Sequence, residues 1–319
     1  MSKPPYEITP RVLELVVAVS EKLGQINAHF LDKPSPQLRK INRIKTIYSS
    51  LSIEGNTLSE AQITDIIDNK RVVGPKKDIT EVLNAIKAYD EIGDLKVKSK
   101  KSFLKAHHIL MQNLIEDNGR YRKSGVGIMA GNKIAHMAPP AKNVPYLMEE
   151  LFEYLKNSKE ITLIKSCVFH YEMEFIHPFI DGNGRMGRLW QTLILMQEYP
   201  VFEFIPLENV ILNSQKKYYQ ALAKSDKLAS STPFVEYMLE VIDNALTGML
   251  NLNQQIRTSE DRVSYFIKLG IKSFSRKDYM NVFKNISTAT ASRDLKNGVE
   301  NGFFSKEGDK KNTTYRIKN

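Results

Sequence analysis

The chain is poor in the residues that build disulfide scaffolds and zinc sites: its 319 residues include one cysteine, Cys167, and six histidines. A single thiol forms no disulfide within the chain and cannot supply a Cys-rich zinc site, so a reducing compartment is expected. Cys167 lies in an apolar helical stretch and reads as a small buried hydrophobe. Long hydrophobic runs are also missing. Val12 to Val19 is short and interrupted by Glu14, and Met1-Ser2-Lys3-Pro4-Pro5-Tyr6 lacks the basic-then-apolar layout of a signal peptide. A soluble, cytoplasmic protein with no membrane partner is expected. Acidic residues are in deficit, 36 Asp and Glu against 46 Lys and Arg, for a net charge of +10. Residues 257–319 contain 14 basic and 7 acidic residues, so +7 of the +10 resides there. That asymmetry points to an acidic partner for the C-terminal part, with nucleic acid first in line.

What the sequence does contain is helical periodicity. With 42% hydrophobic residues it can bury a substantial core. Thr9 and Pro10 make an N-cap and N1 pair ahead of Leu13, Val16, Val17 and Leu23. Pro34 and Pro36 interrupt, and Ile41, Ile44, Ile47, Tyr48 and Leu51 mark a second helix from about 38 to 51. Ser59 to Gln62 is a capping box. Further helices are predicted over 78–92, 102–114, 145–156, 161–175, 189–199 and 234–252. Adjacent His107 and His108 point to different faces of their helix, so they read as packing or surface residues. Trp190, Leu193 and Leu195 read as core. Between Gly119 and Pro145 the helical period lapses. Val126 and Ile128 alternate with small residues, Gly131-Asn132 suits a turn, and Ile134 to Met137 returns as a second strand. The edge of such a hairpin could accept an extended peptide.

One stretch concentrates chemistry: His177-Pro178-Phe179-Ile180-Asp181-Gly182-Asn183-Gly184-Arg185-Met186-Gly187-Arg188. Glycines, an Asn and two Args entering a helix form an anion-binding pattern, because free N–H groups and the helix dipole both favour phosphate. His177 can take a proton near neutral pH, and Asp181 offers hard oxygens suited to magnesium. A second pattern, Ser50-Leu51-Ser52-Ile53-Glu54-Gly55-Asn56, places Ser50 and Glu54 on one helix face before a left-handed stop.

The first stretch resembles the signature of the Fic family, His-Pro-Phe-x-Asp/Glu-Gly-Asn-Gly-Arg-x-x-Arg, at every specified position. The resemblance implies a mainly α fold, a Fic helical bundle with a β-hairpin flap. It also implies protein adenylyltransferase activity: AMP passes from ATP, with Mg2+ on Asp181, to a Ser, Thr or Tyr hydroxyl of a target protein. His177 would be the catalytic base, and Gly182, Asn183, Gly184, Arg185, Gly187 and Arg188 would bind the nucleotide. The Gly-Asn-Gly-Arg form matches the nucleotidyl-transferring members rather than the kinase-type branch. Ser50 and Glu54 resemble the family's inhibitory helix, in which the glutamate pairs with the last arginine, here Arg188. The hairpin around Val126, Ile128, Ile134 and His136 resembles the flap that aligns the target. Gly119 to Arg122 and Pro139-Pro140 resemble further family features. Asn213 to Leu222 resembles a stretch that brings a tyrosine near adenine, here Tyr218 or Tyr219, although packing of a helix pair fits these residues as well. Self-association is expected from the family alone.

From Val263 onward, helices over 263–269, 276–282 and 287–297 precede two short strands around a charged turn, a pattern that resembles a winged helix-turn-helix domain. Its recognition helix would carry Ser287 to Leu295, with Arg293 facing DNA and Lys310 and Lys311 on the wing. A protein-docking role fits the same pattern. The expected division is 1–95, an N-terminal helical region with the inhibitory helix; 96–255, the catalytic core; and 256–319, the winged helix. Two other functions fit the sequence: removal of AMP from a modified protein by a water that Glu54 orients, and a DNA-binding regulator that senses nucleotide.

Overall fold

The structure, a computed structural model, describes residues 4–29, 36–130, 133–255, 258–283, 286–309 and 313–318. It separates into two compact units, Met1–Leu23 with Ile44–Leu246, and Gly24–Arg43 with Thr247–Asn319. No helix among the described residues is long and apolar enough to cross a membrane.

The first unit is almost entirely helical, and its first two helices and its last include residues of the second unit. α1 (Pro10–His29) starts where Thr9 Oγ1 accepts the N–H of Val12, as its N-cap sequence predicts. α2 (Pro36–Ile53) ends at Glu54-Gly55, with Gly55 left-handed. α3 (Glu60–Ile67) carries the predicted capping box, Ser59 and Gln62 each bonding the other's backbone. α4 (Lys76–Asp90) and α5 (Lys100–Met111) pack side by side. The antiparallel hairpin β1 (Gly127–Ala130) and β2 (Lys133–Met137) follows, then α6 (Val144–Asn157), α7 (Thr162–Ile176), α8 (Asn183–Met196), α9 (Leu207–Asn213), α10 (Gln215–Leu228) and α11 (Thr232–Gln255).

α7 is the spine. It is buried on nearly every side, Cys167 included, and α8 packs along it. An aromatic cluster fills the space between α5, α6, α7 and α8: Phe103 lies edge-on to Phe152, Phe169 and Trp190, at 5.5, 6.4 and 5.0 Å between ring centres. Trp190 satisfies its indole N–H on the Val97 carbonyl at 3.1 Å. Leu193 and Leu195 are buried as expected. α8 begins at Asn183, six positions before the predicted start, so most of the glycine-arginine pattern is itself helical. α9 was not predicted, because seven residues are too few to show a helical period.

The second unit includes α12 (Ser259–Lys268), β3 (Ser273–Ser275), α13 (Arg276–Val282), α14 (Thr288–Glu300), β4 (Phe304–Glu307) and β5 (Thr314–Ile317). The two predicted strands pair antiparallel, and β3, too short to show alternation, joins them in the order β3-β5-β4. Phe266, Phe274, Tyr279, Phe283, Leu295 and Phe304 form its core. Arg262 grips the buried Asp294 carboxylate through two bonds, at 2.6 and 2.9 Å, and the Tyr279 hydroxyl adds a third at 3.3 Å. Lys310 and Lys311 lie outside the described residues.

Candidate active site

The signature stretch is the turn between α7 and α8, and its shape is fixed from several sides. His177 ends α7 in the left-handed region, at φ 48° and ψ 63°, a conformation uncommon for a non-glycine residue and more so before a proline. Arg122, 2% exposed, holds it there. Arg122 Nε donates to the His177 carbonyl at 2.7 Å, and Nη2 reaches the carbonyls of Pro139 (2.5 Å) and Ile176 (3.3 Å). Its own N–H donates to the Pro178 carbonyl at 2.9 Å. Because Arg122 precedes β1 and Pro139 follows β2, this one side chain ties the base of the hairpin to the loop.

Asn183 braces the next segment, donating from Nδ2 to the Phe179 carbonyl at 2.9 Å and accepting the Phe179 N–H at 3.0 Å. Phe179 is buried and stacks on His107 of α5, with ring centres 3.6 Å apart. His107 Nδ1 accepts the N–H of Gly119 at 2.8 Å, which leaves Nε2 as the protonated nitrogen, donating to the Asp181 carbonyl at 2.9 Å. Burial lowers the His107 pKa to about 4, so the ring is neutral and this tautomer persists. Left-handed Gly182 then opens α8 without a side-chain cap, which leaves the N–H groups of its first turn suited to an anion.

Both arginines of the pattern are buried and already paired. Arg188 Nη2 meets Glu54 Oε1 at 2.7 Å, and its Nε and Nη2 donate to the Ser50 hydroxyl and carbonyl at 3.1 and 3.0 Å. Burial opposes the charge of Arg188, but the Glu54 carboxylate, together with Tyr218 and Glu174, outweighs it and holds the guanidinium pKa above its ordinary value. Gly184 makes room for this pair: a Cβ at that position would meet Glu54 Oε1 and displace it. Arg185 Nη1 meets Glu81 of α4 at 3.1 Å, and Nη2 reaches Asp181 Oδ1 at 3.2 Å.

The remaining predicted residues spread around this centre. Tyr218 is buried, and its hydroxyl bonds His170 Nε2 at 3.2 Å, so it packs the α7–α10 interface. Tyr219 is half exposed, with its hydroxyl 3.4 Å from the Ile53 carbonyl at the end of α2. In the hairpin, Ile128 pairs with His136 and Met129 with Ile134, across an irregularity between Ile128 and Met129. Val126 precedes the first strand, and the predicted Gly131-Asn132 turn lies outside the described residues. β2 runs beside α10. Sequence reasoning missed His107 as a loop support and missed Glu81 altogether. Each sits in an ordinary helical pattern, and only the packed structure shows its partners.

The residues present fit a magnesium ion. Asp181 keeps 47% of its side chain exposed beside the N-terminus of α8. No cluster of three or more potential ligands occurs among the described residues. Magnesium in nucleotide sites typically takes one or two carboxylates and draws its other oxygens from phosphates and water, so a lone Asp181 is sufficient.

A profile of the Fic/DOC family matches residues 98–195, which contain the α7–α8 turn. "Protein adenylyltransferase Fic" of Drosophila grimshawi is 27% identical over 258 residues, 76% of this chain and 51% of that protein. Its counterpart in Aedes aegypti is 30% identical over 64% of this chain and 41% of its own length. The chain thus spans about half the length, or less, of these curated relatives. Fic-1 of C. elegans (residues 134–508) shares the fold at a TM-score of 0.64 and 21% identity, over 77% of this chain and 74% of that one. The crystal structure of a Fic family protein from Desulfovibrio desulfuricans G20 is 40% identical, covers 99% of this chain and 98% of its own, and superposes at a TM-score of 0.76. On that likeness across nearly the whole length of both chains, and on the signature turn, this chain belongs to the Fic family.

Proposed function

We propose that the chain is a protein adenylyltransferase that moves AMP from ATP to a Ser, Thr or Tyr hydroxyl of a target protein, and that Glu54 holds it inactive at rest. The observation that carries this reading is the Arg188–Glu54 pair, 2.7 Å long, at the second turn of α8. A buried guanidinium requires a counter-charge, and Glu54 supplies it; a nucleotide's terminal phosphate would fill the same role, and both cannot do so at once. The names of the curated relatives support the choice of reaction.

With phosphates over the free N–H groups of Gly184 and Arg185, the target hydroxyl attacks the α-phosphorus. Its proton passes to His177, the bond from the α-phosphorus to the bridging oxygen breaks, and pyrophosphate leaves. His177 suits this task because Arg122 fixes its backbone at the mouth of the turn. Arg185 and the α8 N-terminus stabilise charge on the transferring group. A magnesium ion held by Asp181 and the phosphates would add charge neutralisation. The β1–β2 hairpin, tied to the same turn through Arg122, is suited to aligning the target as an added strand. The test is transfer of label from α-labelled ATP to protein, with Glu54→Gly expected to label itself and no transfer in any variant counting against the reaction.

For the second unit we propose a winged-helix role in binding nucleic acid. α14 buries Ala291, Asp294 and Leu295 and turns Thr288, Ala289, Arg293 and Lys296 to solvent, a polar, cationic face suited to a groove.

A further inference from the structure

Arg185 is gripped in an unusual way for a residue expected to meet phosphate. It is 4% exposed, and its partner Glu81 is 6% exposed, so the pair is a buried ion pair. The two oxygens of Glu81 serve different elements. Oε1 receives Arg185 Nη1 at 3.1 Å, and Oε2 receives Asn56 Nδ2 at 2.8 Å. Lys77 Nζ lies 3.9 Å from Glu81 Oε1 and is largely exposed. Asn56 follows Glu54 by two residues in the turn that ends α2. That turn is tied to α4 by further bonds: Asn56 Nδ2 to the Asp78 carbonyl at 3.1 Å, and the Thr57 N–H and hydroxyl to Asp78 Oδ2 at 2.8 and 2.6 Å.

The guanidinium geometry gives this arrangement its consequence. Nε and Nη2 share one edge, and Nη1 lies on the opposite side. With Nη1 anchored on Glu81 and Nη2 on Asp181, only the Nε–H of the Nε–Nη2 edge is left over. This Nε is buried and has no acceptor among the described residues. A buried donor without an acceptor is unfavourable by itself and suits an oxygen-rich ligand.

We propose that Glu81 is a positioning residue for the phosphate site, orienting Arg185 toward the nucleotide and coupling that orientation, through Asn56, to the Glu54 turn. The inhibitory segment then has two holds on α8: Glu54 occupies Arg188, and Asn56 engages the carboxylate that sets Arg185. The proposal rests on the nucleotide-binding part of the function above, not on AMP transfer itself. It is tested by equilibrium binding of MgATP to the full-length His177→Ala chain, so a failed labelling experiment leaves it standing.

In the His177→Ala, Glu54→Gly background, Glu81→Gln should weaken MgATP binding by about tenfold or more, and Glu81→Asp should restore much of it. With Glu54 intact, Asn56→Ala should strengthen MgATP binding several-fold, to about tenfold, and the same change should have little effect once Glu54 is Gly. Thermal midpoints identify variants that fail to fold, and Asn56→Ala remains informative if Glu81→Gln is one of them. Glu81→Gln that folds and binds MgATP within twofold of its parent overturns the orienting role. Asn56→Ala that leaves binding unchanged with Glu54 intact overturns the coupling.

Discussion

At the scale of single residues, the site is closely packed. Gly187 is an example: a Cβ there would lie 2.6 Å from His170 Cδ2 and 2.9 Å from Glu174 Oε1. Alanine in a helix interior ordinarily stabilises by about 1 kcal/mol over glycine, whereas forcing a methyl into a packed interface costs about 1–3 kcal/mol. Overpacking should win, and Gly187→Ala is expected to lower stability by about 1–2 kcal/mol in urea unfolding. A stabilised variant would show that α7 and α8 can move apart.

His107 carries a pH signature. Its folded pKa is lowered to about 4 from the ordinary 6.5, with desolvation as the largest cause. The unfolded chain therefore takes up a proton as pH falls through 6.5 while the folded chain does not, so this contribution is complete above that pH and is lost as pH falls toward 4. The loss from His107 should be about 2 kcal/mol at pH 5. His170, lowered to about 3 by burial, should act in the same direction. Unfolding measured at pH 7.5 and 5.0 should show the loss, and His107→Gln, which cannot charge, should reduce it. An unchanged pH dependence in that variant would remove His107 from the account.

The candidate site was legible in the sequence because its residues are contiguous: histidine, carboxylate, glycines and arginines fall within twelve positions, 177–188. Arg122 was visible only as part of a family-like stretch, and the carbonyls it binds explain its place there. Glu81 was not legible, because a glutamate in a helix reads as solvated until its partners 25 and 104 positions away are known.

At the scale of elements, the helices followed their caps and periods closely, and the departures have physical causes. α8 starts earlier than its apolar run because left-handed Gly182 and the Asn183 bonds to Phe179 begin the helix inside a glycine-rich stretch that composition reads as loop. Tyr218 and Tyr219 are adjacent and differ in burial because neighbouring helix positions are about 100° apart. α14 gives the prediction at this scale. Arg293→Glu with Lys296→Glu, both on its exposed face, should weaken binding to duplex DNA and flatten its dependence on salt. The parent should bind less tightly as salt rises, and equal binding by parent and variant at every salt concentration would reject this face as the contact.

At the scale of the whole chain, the excess of positive charge and the catalytic signature lie in different compact units. The first unit contains the signature turn and the carboxylate paired with its last arginine, and Ser50 and Glu54 lie 138 and 134 residues before the arginine they hold. The sequence supplied both ends of that contact, but their pairing came from family likeness until the packed structure showed the distance. The central claim is that Glu54 keeps Arg188 from a nucleotide and that His177 performs the transfer once Arg188 is released. The most direct measurement incubates the full-length parent, Glu54→Gly, and Glu54→Gly with His177→Ala with α-labelled ATP and magnesium, and counts label on protein. The account predicts label on Glu54→Gly at least about tenfold above the parent and none above background on the double variant; equal label on all three, or none on any, would contradict it.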